Sequence, residues 1–129
     1  MARILIVDDD PDFHDFLSVL LELEGYEVRS AYDGMSAVEQ LSDGGIDLVL
    51  LDVLMPGMDG FEVLTTLADR EDADHKRDRP PVIFVSALAD DKHVRRGLSL
   101  GGIHYITKPL DVAELLGTVK EILAESGPS

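Results

Sequence analysis

The sequence predicts an α/β fold, a doubly wound five-stranded parallel sheet with five helices, because short apolar runs alternate with amphipathic segments along the whole chain. The runs are rich in aliphatic and β-branched residues, which is typical of strands buried on both faces. The segments between them repeat apolar residues at helical spacing. With 129 residues, 45% of them hydrophobic, the chain suits one domain with a full core.

Five apolar runs are predicted to form the strands. The third run is the most apolar and is expected to be central in the sheet, whereas the second is short and weak, with Val28 directed inward. The predicted strands cover residues 4–7, 27–31, 47–52, 82–86 and 104–107.

The first two helices have clear start and stop signals. Asp10 followed by Pro11 favours a helix start, with Asp as the N-cap and Pro in the first turn, and Gly25 ends this helix. A turn at residues 33–34 precedes a shorter helix that ends near residues 44–45. The apolar residues at helical spacing in these segments are Phe13, Phe16, Leu17, Leu20 and Leu23, and then Ala37, Val38 and Leu41.

The remaining three helices follow a loop or a capping signal. Residues 55–60 contain two glycines and a proline, so they are predicted to be a loop before the third helix. Asp90 or Asp91 can cap the fourth helix, and Asp111 with Glu114 has the spacing of a capping box at the start of the fifth. The apolar residues of these helices are Phe61, Val63, Leu64 and Leu67, then Val94 and Leu98, then Leu115, Leu116, Val119, Ile122 and Leu123.

The composition argues against several classes of protein. The formal net charge is −15, and the first 64 residues carry 15 acidic and 2 basic groups. Phosphate contacts need a basic patch, so direct nucleic-acid binding by this domain is not expected. The absence of cysteine excludes disulfides and thiolate metal sites. No apolar stretch approaches the ~20 residues of a membrane span, and residues 1–3 lead straight into a strand, so we expect a cytoplasmic protein without a signal peptide.

Polar residues follow several of the predicted strands. A strand order of 2-1-3-4-5 makes strands one and three neighbours at the point where the winding reverses, and ligands bind at the carboxyl edge there. Asp8 and Asp9 follow strand one, and Asp52 ends strand three, so these carboxylates would come together. Ser86 and Lys108, at the ends of strands four and five, would flank them.

This group of residues suits phosphoryl chemistry. Three neighbouring carboxylates repel one another and stay ionised only with a cation among them. Mg²⁺ fits a site of oxygen ligands and commonly completes its shell with phosphate oxygens. A carboxylate in such a site can act as a nucleophile and form an acyl phosphate. Lys108 could neutralise charge on a transferring phosphoryl group, and the Ser86 hydroxyl could bind one of its oxygens.

Each of these residues also has an ordinary structural explanation. An aspartate at a strand end is often a turn former or a helix N-cap, and Asp10 is expected to be an N-cap. Taken alone, Ser86 would be a simple strand-end hydroxyl and Lys108 a solvated lysine. Together, at corresponding ends of strands one, three, four and five, these residues favour a functional site.

The same residues resemble the motifs of the receiver domains of bacterial two-component response regulators, which have a flavodoxin-like fold. The resemblance covers essentially the whole chain, with residues 1–125 as the receiver domain and residues 126–129 as a tail or the start of a linker. Each fragment is modestly specific, but their order and spacing are highly specific. The fragments are Ile6-Val7-Asp8-Asp9, Leu51-Asp52, Met55-Pro56-Gly57-Met58-Asp59-Gly60, Val85-Ser86-Ala87 and Tyr105-Ile106-Thr107-Lys108-Pro109.

The resemblance implies a signalling module rather than an enzyme. Asp52 would be the phosphoacceptor, taking a phosphoryl group from a phosphohistidine on a sensor histidine kinase or a histidine phosphotransfer protein. Asp8 and Asp9 would hold Mg²⁺ together with Asp52, helped by the backbone carbonyl of Leu54. Slow loss of the phosphoryl group by hydrolysis would reset the module.

The resemblance also implies a switch. Ser86 and Lys108 would bind the phosphoryl oxygens, and the Lys108-Pro109 bond is expected to be cis, since X-Pro bonds permit this at low cost. On phosphorylation, Ser86 would move toward the phosphoryl group and the Tyr105 ring would turn inward, although a half-buried strand aromatic is the alternative explanation of Tyr105. The face formed by helix four, strand five and helix five would then control a downstream protein or a linked output domain, and a homodimer could form through it.

Other residues receive structural roles. The apolar residues of the switching face could belong to the core or to an interface, and we expect the core; they are Val94, Leu98, Leu116 and Val119. The histidines His14, His75 and His104 are expected to lie at the surface. The charged segment 69–81 is predicted to be a helix end followed by an exposed loop, and it has no predicted role.

The chain departs from the family pattern near the predicted site. Leu54 and Leu88 lie two residues after Asp52 and Ser86, where polar side chains could orient an attacking water. Leucines should do this poorly, so we predict a long-lived phosphoryl group. Residues 101–103, before the fifth strand, are rich in glycine and are expected to loosen the switch region.

Three other functions share parts of this pattern. An Mg²⁺-dependent phosphohydrolase that uses an aspartyl phosphate usually has a second acid where this chain has Leu54, and it needs a cap insertion to hold its substrate. A receiver-like domain that takes no phosphate is disfavoured because every site residue is present. A flavin-binding domain needs a phosphate loop after the first strand, where residues 8–10 are aspartates that repel phosphate.

Overall fold

The computed structural model of the protein describes residues 1–70 and 79–126, and five strands alternate with five helices along these ranges. All the predicted strands and helices are present. The strands are β1 (Arg3–Val7), β2 (Glu27–Ala31), β3 (Leu48–Leu51), β4 (Val82–Ser86) and β5 (Gly102–Thr107). The helices are α1 (Pro11–Leu23), α2 (Gly34–Asp43), α3 (Gly60–Arg70), α4 (Asp91–Ser99) and α5 (Val112–Ser126).

The five strands form one parallel sheet in the order β2-β1-β3-β4-β5, which confirms the predicted topology. In the register of β1 and β3, Val7 lies opposite Leu51. The Asp52 amide donates to the Val7 carbonyl at 2.9 Å, so the pairing continues to the end of both strands. The next residues, Asp8 and Asp52, therefore leave the sheet side by side.

Apolar side chains fill both faces of the sheet, which explains the continuous apolar runs of the strands. Leu5 and Val7 of β1 point to one face, and Ile4 and Ile6 point to the other. The first face is covered by α2 and α3, mainly through Ala37, Val38, Phe61, Val63, Leu64 and Leu67. The second face is covered by α1 and α5, mainly through Leu17, Leu21, Leu115, Val119 and Ile122.

Aspartate side chains cap the start of several helices, as predicted for Asp10 and Asp111, and also at Asp33, which was predicted only as part of a turn. Asp10, Asp33 and Asp111 each accept a hydrogen bond from a backbone amide in the first turn of the helix that follows, at 3.0, 2.8 and 3.1 Å. Asp90 is the N-cap of α4, but its carboxylate contacts the Nδ1 atom of His93 at 2.5 Å instead of a backbone amide.

Gly102 packs against an aromatic ring, whereas the loosening of the switch region by residues 101–103 stays a prediction. It is the buried first residue of β5, and a Cβ atom there would lie 2.5 Å from Cε2 of Phe84. A Cβ atom at Gly97 of α4 would meet the same ring at 2.9 Å. Both glycines therefore let α4 and β5 close on Phe84. Gly101 has a φ of 114°, a conformation that favours glycine.

Three apolar residues predicted on helical faces or in the core lie at the surface. Phe16 and Leu23 of α1 are 48% and 78% exposed, and Leu98 of α4 is 43% exposed. The inner face of α1 is instead formed by His14, Leu17 and Leu21. The predicted apolar set was wider than the face that the sheet can cover, and Leu98 was the wrong choice for the core, whereas the prediction for Val119 is confirmed.

One other expectation is settled by the described residues, and another lies outside them. His104 on β5 is exposed, as predicted. Residues 71–78, which include His75 and most of the charged segment 69–81, are outside the described ranges. In the part of the chain that the structure describes, no helix has the length and apolar content needed to cross a membrane.

Candidate functional site

Polar side chains gather at the carboxyl edge of the sheet. Asp8 follows β1, Asp52 follows β3, Ser86 ends β4 and Lys108 follows β5. Asp8, Asp52 and Ser86 are buried, with 1%, 5% and 0% of their surface exposed. Because β1 and β3 are neighbours where the strand order reverses, this is the edge at which doubly wound sheets bind their ligands.

Three carboxylates form the acidic part of the site. One oxygen from each of Asp8, Asp9 and Asp52 lies within 4.8 Å of the other two. An oxygen-only donor set of this kind suits a hard divalent cation such as Mg²⁺. The Leu54 amide donates to Oδ1 of Asp52 at 3.1 Å and helps to orient it. The role of the Leu54 carbonyl stays a prediction.

Lys108 supplies the positive charge of the site. Its Nζ atom donates to Oδ2 of Asp8 at 2.7 Å and to Oδ2 of Asp52 at 3.2 Å. The same Nζ atom lies 4.2 Å from the centre of the Phe13 ring. The Lys108 backbone amide donates to the Ser86 carbonyl at 2.9 Å, which ties the end of β5 to that of β4. One ammonium is thus shared by two carboxylates.

The pKa shifts of the site follow from this sharing. Burial raises the pKa of the Asp52 carboxyl, and the charge of Asp8 raises it further, against the opposing effect of Lys108. Burial works against the Lys108 ammonium, but its hydrogen bond to Asp8 and the charges of both carboxylates outweigh burial, so the pKa of Lys108 is raised. The raised pKa values of Asp52 and Lys108 have a common cause, because one ammonium cannot neutralise two buried carboxylates. The site therefore keeps an excess of negative charge that favours a cation.

Replacing Asp52 with Asn is expected to stabilise the metal-free protein at neutral pH. Folding raises the pKa of Asp52, so its contribution to stability is complete below the unfolded pKa and is lost as the pH rises through the folded pKa. The neutral amide avoids this loss. Urea unfolding in EDTA between about pH 3.5 and pH 8 should show Asp52→Asn more stable at high pH, with the difference shrinking toward low pH. If Asp52→Asn were less stable than the parent at neutral pH, the raised pKa of Asp52 would be contradicted.

The Leu88 backbone connects Ser86 to Tyr105. The Ser86 hydroxyl accepts a hydrogen bond from the Leu88 amide at 3.3 Å. The Tyr105 hydroxyl donates to the Leu88 carbonyl at 2.5 Å, and its half-buried ring packs on Phe84 with the ring centres 5.7 Å apart. The peptide bond between Lys108 and Pro109, next to this strand, is cis. Ser86 and Tyr105 therefore both contact the backbone of Leu88.

Gly60 supports the backbone that carries Asp52, a role that sequence reasoning missed. Gly60 begins α3, and its amide donates to the Val53 carbonyl at 3.1 Å. A Cβ atom at this position would collide with the Asp52 carbonyl oxygen and would lie 3.0 Å from the Cα atom of Val53. Only glycine lets the start of α3 approach this closely. The signal in the sequence was the second glycine of the loop at residues 55–60, although that glycine alone does not reveal the contact.

His14 belongs to the surroundings of the site, contrary to the prediction that it lies at the surface. It is 1% exposed, on the inner face of α1. Its Nε2 atom lies 2.6 Å from the Asp8 carbonyl oxygen, and its Nδ1 atom lies 3.0 Å from Oγ of Ser30. The prediction failed because polarity alone places a histidine outside, whereas hydrogen bonds on both ring nitrogens permit burial.

The chain is similar to receiver domains of response regulators. The family model described as response regulator receiver domain matches residues 4–120. Two curated relatives are the DNA-binding dual master transcriptional regulator RpaA of Synechocystis sp. and the transcriptional regulatory protein CpxR homolog of Haemophilus influenzae. Both are 37% identical to this chain, over 123 and 126 residues, which is 95% and 98% of it. The matches cover 49% and 52% of the relatives, so the chain spans about half their length.

Solved structures share this fold over 95% or more of the chain. The receiver domain of the Francisella response regulator 1452 superimposes with a TM-score of 0.87 at 28% identity and covers 98% of this chain and 100% of its own. The chemotaxis protein CheY4 of Vibrio cholerae superimposes with a TM-score of 0.83 at 28% identity, covering 95% of this chain and 99% of its own.

Proposed function

The chain belongs to the response regulator receiver domain family of two-component signalling, and we propose that it is controlled by phosphorylation of Asp52. The observation that carries the proposal is the environment of this carboxylate. It is 5% exposed, it lies 3.2 Å from the Lys108 ammonium, and its oxygen belongs to a cluster with those of Asp8 and Asp9. The Lys108 ammonium and an Mg²⁺ ion bound by the carboxylates could together neutralise a phosphoryl group on this buried side chain.

The proposed reaction is the transfer of a phosphoryl group from a phosphohistidine to Asp52. A carboxylate oxygen of Asp52 attacks the phosphorus atom, and an oxygen–phosphorus bond forms while the nitrogen–phosphorus bond breaks. The donor imidazole leaves with the bonding electron pair. The product is a mixed anhydride, an aspartyl phosphate, and the donor is a sensor histidine kinase or a histidine phosphotransfer protein.

The residues of the site would divide the work of stabilising this transfer. Asp8, Asp9 and Asp52, with the Leu54 carbonyl, would hold Mg²⁺, which when bound offsets negative charge on the phosphoryl oxygens. The Lys108 ammonium could exchange its contact with Oδ2 of Asp52 for one with a phosphoryl oxygen. Its shorter contact with Asp8 would hold the side chain in the site during this exchange. The buried Ser86 hydroxyl would donate to another phosphoryl oxygen.

The output of the module is proposed to pass through the face formed by α4, β5 and α5. If the Ser86 side chain moves toward the phosphoryl group to donate to it, its oxygen moves away from the Leu88 amide, and the Leu88 carbonyl that holds the Tyr105 hydroxyl would shift with the loop. The ring of Tyr105 can then turn inward. The loop and the Tyr105 ring would thus have two arrangements, and the charge of the phosphoryl group would favour one of them.

The proposed partner of this face is a downstream protein or an output domain on the same polypeptide. Curated relatives of about twice the matched length carry names of transcriptional regulators, which supports a linked output domain. A homodimer through the same face is a further part of the proposal. Direct binding of nucleic acid by the receiver itself is not proposed, given its net charge of −15.

Intact mass spectrometry tests the proposal. Incubation with acetyl phosphate and MgCl₂ should add the mass of one phosphoryl group, and EDTA should suppress the addition. Asp52→Asn, which keeps the size of the side chain, is the matched control and should gain no mass. A chain that gains mass from neither acetyl phosphate nor a phosphorylated histidine phosphotransfer protein, while still folded, would contradict the proposal.

The phosphoryl group on Asp52 is expected to be long-lived, because apolar side chains border the site. Leu54 and Leu88 line a groove of about 370 Å³ that opens beside the residues following Asp52. Neither side chain can orient a water molecule for attack. Leu54→Asn introduces a polar group at the half-exposed position and should shorten the lifetime about tenfold. The lifetime can be measured as loss of the mass adduct after removal of acetyl phosphate.

The control for this prediction is a change of shape without a change of polarity. Leu54→Met is similar in volume and apolar, so the lifetime should stay close to that of the parent. A parent lifetime of seconds, or equal lifetimes for the Asn and Met variants, would refute the role of Leu54.

A further inference from the structure

The buried imidazole of His14 makes a directed contact with the backbone of the carboxylate cluster. Its Nε2 atom lies 2.6 Å from the Asp8 carbonyl oxygen. A carbonyl oxygen only accepts, so Nε2 must carry the proton that is shared. In the neutral ring, Nδ1 then accepts from the Ser30 hydroxyl at 3.0 Å. The ring also packs on Tyr32 with the ring centres 4.2 Å apart, so its position is fixed on several sides.

The contacted carbonyl belongs to the peptide bond that joins Asp8 to Asp9. A peptide bond is planar, so holding its carbonyl oxygen fixes the orientation of the whole unit, including the amide of Asp9. The direction in which the Asp9 side chain leaves the backbone depends on that orientation. His14 is therefore placed to determine where the Asp9 carboxylate lies.

Asp9 depends on this support more than the other two carboxylates do. Asp8 is held by Lys108 at 2.7 Å and by the Asp10 amide at 2.9 Å, and Asp52 is held by Lys108 and the Leu54 amide. The Asp9 side chain is exposed and has no hydrogen-bond partner among the described residues. Its oxygen nevertheless lies within 4.8 Å of the other two. The backbone, rather than side-chain contacts, keeps it there.

We propose that His14 is a positioning residue for the cation site, which holds the Asp8 carbonyl and thereby directs the Asp9 carboxylate into the cluster. This inference rests on the Mg²⁺ site of the proposed function. The competing explanation is that His14 only fills the core under α1. That explanation predicts that substitutions of His14 lower stability without a selective effect on Mg²⁺ affinity. Residues that hold metal ligands in place affect metal affinity, whereas core packing away from the ligands does not.

Two substitutions of matched shape separate these explanations. His14→Gln keeps a side-chain N–H that can donate to the Asp8 carbonyl, whereas His14→Met has a similar length and no donor. The Mg²⁺ dissociation constant, from amide chemical shifts during titration with MgCl₂, should weaken about tenfold in His14→Met and stay within about twofold in His14→Gln. His104→Met, which removes an exposed histidine on β5, is the control for loss of a histidine and should bind like the parent.

A double-mutant cycle with Asp9→Ala tests whether His14 acts through Asp9. If it does, His14→Met should weaken Mg²⁺ binding by less than about twofold in the Asp9→Ala background. Three results would overturn the proposal and leave the Mg²⁺ site intact. They are an equal loss of Mg²⁺ affinity in both backgrounds, an unchanged dissociation constant in His14→Met, and a weakened affinity in His14→Gln. Asp9→Ala binding Mg²⁺ as tightly as the parent would refute the Mg²⁺ site itself and this proposal with it.

The tautomer of His14 gives a test that needs no variant and holds even if His14→Met does not fold. The imidazole ¹⁵N chemical shifts of the parent protein should show the proton on Nε2, as donation to the Asp8 carbonyl requires. A ring protonated on Nδ1 alone would overturn the proposal.

Discussion

Lys108→Met should be phosphorylated by acetyl phosphate about 100-fold more slowly than the parent protein while binding Mg²⁺ more tightly. In the proposed reaction the Lys108 ammonium neutralises charge on the transferring phosphoryl group, so its loss should slow the transfer. The same ammonium lies 2.7 Å from Asp8 and 3.2 Å from Asp52, where it competes with a metal cation. Its removal leaves two buried carboxylates without a positive charge, which favours Mg²⁺ binding.

The opposite signs of these two effects make the prediction specific. A variant that was merely misfolded would lose both phosphorylation and Mg²⁺ binding. Lys108→Arg, which keeps the charge but not the compact shape of the ammonium, should bind Mg²⁺ like the parent and transfer at an intermediate rate. Phosphorylation by mass spectrometry and affinity by titration measure the two quantities separately. Equal phosphorylation rates in Lys108→Met and the parent would refute the role of Lys108.

Gly60→Ala is expected to lower both the stability of the protein and the rate of phosphorylation. The added methyl group collides with the Asp52 carbonyl oxygen, so either α3 or the backbone of Asp52 has to move. Overpacking of this kind costs about 1–3 kcal/mol. The shift also displaces Asp52, the proposed phosphoacceptor, and small misplacements slow a reaction strongly. Urea unfolding and the initial rate of mass gain would measure the two effects.

Gly117→Ala is the matched control for this substitution. Gly117 lies within α5, and a Cβ atom there would have no neighbour within 4 Å. Since glycine weakens a helix interior, alanine should stabilise the protein by about 0.5–1 kcal/mol without affecting phosphorylation. If Gly60→Ala behaved like Gly117→Ala, the close approach of α3 to Asp52 would be wrong.

The sequence predicted which side chains meet at the carboxyl edge of the sheet, because each of them directly follows or ends a strand. Asp8, Asp52, Ser86 and Lys108 each come at the end of an apolar run, and parallel strands bring such ends to one edge. Helix starts were equally readable, because an aspartate such as Asp10 caps by a local contact. These features depend on short stretches of chain, so local patterns were sufficient.

Features that depend on contacts between distant elements were missed. The burial of His14 requires Ser30 on β2, and the need for glycine at position 102 requires the Phe84 ring of β4. Helical spacing gave the inner face of α1 only approximately, so Phe16 was placed with the core although it is 48% exposed. Periodicity identifies a face, but only packing against the sheet decides its width.

Location of the acyl phosphate by chemical trapping tests the central claim most directly. After incubation with acetyl phosphate and MgCl₂, borohydride reduces an aspartyl phosphate to homoserine, and peptide mass spectrometry identifies the altered residue. We predict homoserine at position 52, dependent on Mg²⁺ and absent without acetyl phosphate. Homoserine at Asp8, Asp9 or any other aspartate, with position 52 unchanged, would contradict the assignment of Asp52 as the phosphoacceptor.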